Sequence, residues 1–179
     1  MSFLKDMFKK TPNVNGKYKK PYYSLRNVNS NRVLDVAQDG PNAGSTILWD
    51  GYAGENQQFT FVQDGPDYYI KCKKNDQYLT VESAANGARL FTSPKNNQAN
   101  QKFRVDDSKP GSSDKVIYTY CGKALDVLEG GKKNGARVSQ YDYNGGKNQL
   151  WNFCDPKNIT SSSSSHDWSK WLVNLLFLK

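Results

Sequence analysis

Residues 33–59 read VLDVAQDGPNAGSTILWDGYAGENQQF, and two features of this stretch recur along the chain. The first is a Leu-x-Val triplet, present as Leu34-Asp35-Val36, Leu79-Thr80-Val81 and Leu125-Asp126-Val127. The first two leucines lie 45 residues apart and the next two 46. The second feature follows each triplet downstream as Gln57-Gln58-Phe59, Gln101-Lys102-Phe103 and Gln149-Leu150-Trp151, preceded in turn by Asn56, Asn100 and Asn148. Two independent markers holding one period identify a threefold internal repeat.

Each repeat divides into about four short alternating runs bounded by Gly, Asn, Asp and Pro, the pattern of strands joined by turns. Repeat one, about residues 22–64, predicts strands over Tyr22–Val28, Val33–Ala37, Ser45–Asp50 and Gln57–Gln63. Repeat two, 65–108, predicts Asp67–Lys73, Tyr78–Ser83, Ala88–Ser93 and Gln101–Asp107, and repeat three, 114–155, follows the same order. Eleven Tyr and four Trp suit half-wet strand faces better than a helical bundle. The expectation is one all-β domain over residues 22–155, since 179 residues fit a single core with tails.

A Leu-Asp-Val element followed by a Gln-x-Phe/Trp element, three times over, resembles the ricin B lectin family. That resemblance implies a β-trefoil, in which three four-stranded repeats close around a pseudo-threefold axis and leave one shallow sugar pocket per repeat. A neutral sugar offers pairs of hydroxyls and one apolar C–H face. A carboxylate can accept from two hydroxyls, a ring can cover the apolar face, and an amide can both donate and accept. Repeat one carries this set as Asp35, Trp49 and Asn56, and repeat three as Asp126, Tyr141 and Asn148, each ring eight positions before the marker Gln. Gln57 and Gln149 resemble family residues that brace the pocket from behind or touch the ligand. Repeat two has Thr80 and Ser93 where the acid and ring should be, although Leu79, Val81, Asn100, Gln101 and Phe103 remain. Carboxylate and ring are lost together while the apolar frame survives, so frame and site are separable. Two sugar sites are therefore expected.

The resemblance implies glycans of galactose or N-acetylgalactosamine type as partners. Ile47 and Ser139 stand two residues before each ring, where many members place a polar side chain near the sugar, and they argue against a fixed galactose preference. The positions at which the family often closes a disulfide hold Val33 with Gly51 and Ala124 with Tyr143. Cys121 and Cys154 end the first and last expected strands of repeat three, where the two sulfurs could lie close; free thiols are the favoured state because no export signal is visible. Lys5, Asp6, Lys9 and Lys10 interrupt any apolar leader, which points to the cytosol or to export without a signal peptide. The Asn158-Ile159-Thr160 sequon matters only on a secretory route.

The formal charge of +8 does not indicate a nucleic-acid partner once it is divided along the chain. Residues 1–21 hold six Lys against one Asp and residues 156–179 three Lys against one Asp, leaving the middle nearly neutral. Catalysis has little support: the one His, His166, lies outside the repeats, and Asp35 and Asp126 belong to different pockets. No cofactor or metal motif is present; the cysteines form no CxxC pair. The competing class is a protein-binding or membrane-binding trefoil that uses its loops and tail, with vestigial pockets.

Both ends are expected to form short amphipathic helices. Phe3, Leu4, Met7 and Phe8 would share one face of a basic N-terminal segment within residues 1–21. Residues 156–166 read as a Ser-rich linker, and 167–179 as an apolar helix striped by Trp168, Trp171, Leu172, Leu175 and Leu176. A helix over the last fourteen residues would be about 21 Å long, short of a hydrocarbon core of about 30 Å. It could lie in a membrane interface, bind a partner or a second copy, or pack on the N-terminal segment.

Overall fold

The computed structural model describes residues 22–159, which fold into twelve strands. Repeat one supplies β1 (Ser24–Asn27), β2 (Val33–Val36), β3 (Thr46–Trp49) and β4 (Phe59–Asp64). Repeat two supplies β5 (Asp67–Cys72), β6 (Tyr78–Val81), β7 (Leu90–Ser93) and β8 (Phe103–Asp107). Repeat three supplies β9 (Lys115–Thr119), β10 (Ala124–Val127), β11 (Val138–Tyr141) and β12 (Trp151–Cys154). The expected β-trefoil is observed. The terminal helices lie outside the described residues.

Six strands make the barrel: β1 pairs β12, β12 pairs β9, β9 pairs β8, β8 pairs β5 and β5 pairs β4. The ring closes where Tyr23 and Phe59 exchange backbone hydrogen bonds of 2.8 Å each. Closure removes the unpaired edges that an open sheet would expose. The hairpins β2–β3, β6–β7 and β10–β11 rise from β1, β5 and β9 and meet one another through the bridges Ser45–Phe91, Ile47–Arg137 and Arg89–Ser139. Each hairpin therefore touches the turn of the next.

The repeated apolar markers build the core. Leu34, Val36, Leu79, Val81, Leu125 and Val127 are buried, and Phe59, Phe103 and Trp151 fill the centre at full burial. Burial of each large side chain contributes about 1.5–3 kcal/mol, so threefold repetition of the pattern secures the frame. Trp151 also meets its polar obligation by donating from Nε1 to the Leu125 carbonyl at 3.2 Å.

Three expectations need correction. The last strands of repeats one and two begin at Phe59 and Phe103, after the marker glutamines, because Gln57 and Gln101 end three-residue 3-10 turns, Glu55–Gln57 and Ala99–Gln101. Each turn closes by a bond from the Gln N–H to the carbonyl three residues back, which directs the side chain inward. Cys121 and Cys154 do not approach: antiparallel pairing of Trp151 with Lys115 puts Cys154 beyond one end of β9 and Cys121 beyond the other. All three cysteines are free. The first residues of the expected linker belong to the body, since Asp155 caps the 3-10 turn Pro156–Asn158 by accepting from Lys157 N–H at 2.9 Å, and Ile159 is buried beside Gly51.

Candidate functional site

In repeat one, β2 and β3 place acid and ring diagonally on one sheet face. Asp35 lies opposite Ile47, and Trp49, two residues further along, opposite Val33. Directly opposed residues share a face, so a ring at the diagonal position reaches over its neighbour's side chain. Asp35 is 3% exposed and Trp49 41%. The acid forms the floor and the ring forms a wall.

Two amides hold the carboxylate. Asn56 Nδ2 donates to Asp35 Oδ1 at 3.0 Å, and Gln57 Nε2 donates to Oδ2 at 2.9 Å. Asn56 also donates to the Val36 carbonyl at 3.2 Å and accepts from Tyr52 Oη–H at 2.8 Å. Gln57 donates to the Asp50 carbonyl at 3.0 Å and accepts from Tyr52 N–H at 3.0 Å. Gln57 is fully buried and lies behind the acid, as a brace. An ionised carboxylate has about four acceptor positions, so these two bonds leave one on each oxygen for an incoming donor pair. Burial raises the Asp35 pKa above 3.8, and the bonds from Gln57 and Asn56 pull it back down, with a smaller lowering from the Tyr52 hydroxyl beside them.

A hollow of about 450 Å³ opens over this arrangement, lined by Asp35, Asp39, Ile47, Trp49, Tyr52 and Gly135 among others. Tyr52 was not anticipated as a site residue, although an aromatic three positions after Trp49 is visible in the chain. Gly135 comes from repeat three and could only be found by folding.

Repeat three reproduces the design. Asp126, 4% exposed, pairs with Ser139, and Tyr141, 42% exposed, pairs with Ala124. Asn148 Nδ2 donates to Asp126 Oδ2 at 2.9 Å and to the Val127 carbonyl at 3.2 Å. Gln149, fully buried, donates to the Asp142 carbonyl at 2.9 Å and accepts from Asn144 N–H at 2.8 Å. Burial again raises the carboxyl pKa, offset by hydrogen bonds from Gln149 and Asn148. The hollow here is about 440 Å³ and is lined by Asp126, Leu128, Glu129, Tyr141, Asn144 and Asn148 among others.

A second acid, outside the repeated motif, lines each hollow. The turn after β2 contributes Asp39 to the first hollow, and Glu129 occupies the matching turn of the third. Glu129 adopts φ 56°, a left-handed conformation costly for a residue with a side chain. Both acids are exposed. Among the described residues no group of three or more His, Cys, Asp or Glu is arranged to hold a metal.

Repeat two keeps the frame and closes on itself. Thr80 and Ser93 hydroxyls lie 2.8 Å apart, and Gln101 Nε2 donates to both at 3.0 Å and to the Pro94 carbonyl at 2.9 Å. Asn100 still donates to the Val81 carbonyl at 3.1 Å. The hydroxyls satisfy one another where the other repeats present an acid.

A clamp that motif reading missed stands beside each ring. Asp50, next to Trp49, pairs with Arg32 at 3.1 Å and accepts from Asn134 Nδ2 at 2.8 Å, while Asn134 Oδ1 accepts from Asp50 N–H at 2.9 Å. Asp142, next to Tyr141, pairs with Lys123, accepts from Asn86 Nδ2 at 2.8 Å and donates from its N–H to Asn86 Oδ1 at 3.0 Å. In each case the asparagine belongs to the turn of another repeat. The corresponding residues around repeat two are Gln77, Pro94 and Ala43, and none can make these bonds.

Comparison with known proteins agrees with this architecture. The family model described as ricin-type beta-trefoil lectin domain-like matches residues 12–93, 55–141 and 99–169. No curated protein matches the chain. Among solved structures, the designed threefold symmetric protein ThreeFoil is 32% identical, with 75% of this chain and 98% of that one covered and a TM-score of 0.69. An exo-β-1,3-galactanase from Clostridium thermocellum is 29% identical over 76% of this chain, at a TM-score of 0.69, and the match covers 30% of that larger chain. The ricin B-like lectin of Macrolepiota procera, solved with lactose, shares the fold at 22% identity and a TM-score of 0.69, with 78% of this chain and 98% of that one covered.

Proposed function

The chain belongs to the ricin-type β-trefoil lectin family, and we propose that it is a binder of neutral sugars with two sites, Asp35–Trp49–Asn56 in repeat one and Asp126–Tyr141–Asn148 in repeat three. The observation that carries the reading is a buried carboxylate oriented by amides and overlooked by a half-exposed ring, present in repeats one and three and absent from repeat two. Two adjacent sugar hydroxyls would donate to the open acceptor positions of the acid, in charge-assisted bonds stronger than neutral ones. The ring would cover the C–H face and remove apolar area from water. Gln57 and Gln149 serve as braces that fix the acid.

Galactose and N-acetylgalactosamine are the class we propose to test first, presented on glycoconjugates. Ile47 supplies an apolar wall beside Asp35, whereas the matching Ser139 is small, so the two sites should rank sugars differently. A glycan array probed with wild type and with Asp35→Ala/Asp126→Ala decides the reading. The wild type should label a set of neutral glycans and the double variant should label none of them. Equal labelling by a correctly folded double variant would overturn the proposal in favour of a loop-mediated binder.

A further inference from the structure

Site three does not end at Tyr141. Cross-strand register places Tyr141 opposite Ala124, Ala124 opposite Tyr118 and Tyr118 opposite Arg104, so one row crosses β11, β10, β9 and β8. At a strand spacing of about 4.8 Å, Tyr118 stands roughly 10 Å from Tyr141 along the row. Tyr143 fills the interval: its ring meets Tyr118 edge-on at 5.8 Å, and the next residue, Asn144, lines site three. Beyond Tyr118 lies a separate hollow of about 290 Å³, lined by Asp67, Lys102, Arg104, Tyr118, Tyr120 and Gly122 among others. The Tyr120 ring is 41% exposed there.

We propose that this hollow is a second subsite, which takes the following residues of a neutral oligosaccharide whose end residue occupies site three; the inference rests on the sugar reading of that site. Its chemistry repeats that of the first two hollows, with the exposed Tyr120 ring to cover a C–H face and the Asp67 carboxylate to accept from hydroxyls. The cations present are already matched. Arg104 Nε bonds Asp106 at 3.0 Å with its guanidinium 4.8 Å from the Tyr118 ring centre, and Lys102 pairs with Asp64 at 2.9 Å. That balance favours an uncharged chain over an acidic one. The extension belongs to repeat three alone, because the residues matching Tyr118 are Arg26, opposite Val33, and Lys71, opposite Tyr78.

The test uses the full chain carrying Asp35→Ala, so that only site three reports, on an array of neutral glycans of one to four residues together with sialylated ones. The best neutral tri- or tetrasaccharide should bind about tenfold tighter than its own end monosaccharide, a gain of the size expected for one added ring contact and its buried area. Adding Tyr120→Ala or, separately, Asp67→Ala should remove most of that gain and leave monosaccharide affinity unchanged, which also shows that the variants fold. In an Asp126→Ala background the same changes should do nothing. No gain with length, a gain that survives both variants, or a preference for the sialylated glycans would overturn the subsite. Loss of all binding in Asp35→Ala alone would defeat site three itself, and is read apart because it precedes any change at Tyr120.

Discussion

Asp35 and Asp126 carry opposed demands. Burial pushes both pKa values above the ordinary 3.8 while amide donors pull them back, so each anion is held at a cost to folding. With the folded pKa raised, the penalty is fully present above that value and disappears as pH falls through it toward the unfolded value. Sugar binding has the opposite requirement, since hydroxyls donate to the ionised form. Affinity should hold at neutral pH and fall with acidification at a midpoint above 3.8, while thermal stability gains a small term over the same window; titration of binding and melting together checks the sign. Replacement by the repeat-two pair, Asp35→Thr with Trp49→Ser, should let Gln57 bond hydroxyls as Gln101 does. We expect that variant to lose site-one binding while changing stability by about 1–2 kcal/mol at most, measured by denaturant unfolding. Unfolding of the variant would show that the acid is part of the frame.

The hairpins are the working elements. Those of repeats one and three carry an acid on the first strand and a ring on the second, and the clamp ties the residue after the ring to the turn of a different repeat. Because the clamp occurs beside both rings and its members are missing around repeat two, it serves the ring's position. Asn134→Ala should weaken site one severalfold, consistent with loss of hydrogen bonds that contribute about 1 kcal/mol each, and spare site three. Asn86→Ala should do the reverse. Isothermal titration of each variant against single-site backgrounds separates the two, and equal weakening at both sites would mark a general loss of packing instead.

At the scale of the whole molecule, the two proposed sites sit on one barrel. Each alone should bind a single sugar weakly, and a dense glycan surface should be held more tightly because the second contact is intramolecular. Asp35→Ala or Asp126→Ala should lower the stoichiometry for free sugar from two to one with little change in the remaining site's affinity. On a dense surface the same change should reduce avidity by about a hundredfold, read by surface plasmon resonance at high and low ligand density. An unchanged dense-surface affinity would show that one site does all the binding.

The chain itself determined the threefold frame. Leu34, Leu79 and Leu125, with Phe59, Phe103 and Trp151, are apolar at one period, and burial of such side chains depends on local pattern more than on distant partners. The acids and rings were legible for the same reason, since repeat two shows what the frame looks like without them. Folding alone decided the rest. Gly135 at site one, the Asn134 and Asn86 clamps and the Tyr118–Tyr143 contact join residues from distant parts of the chain, and strand register, which no local signal carries, brings them together. The same register sends Cys121 and Cys154 to opposite ends of β9, and barrel closure seats Ile159 against Gly51.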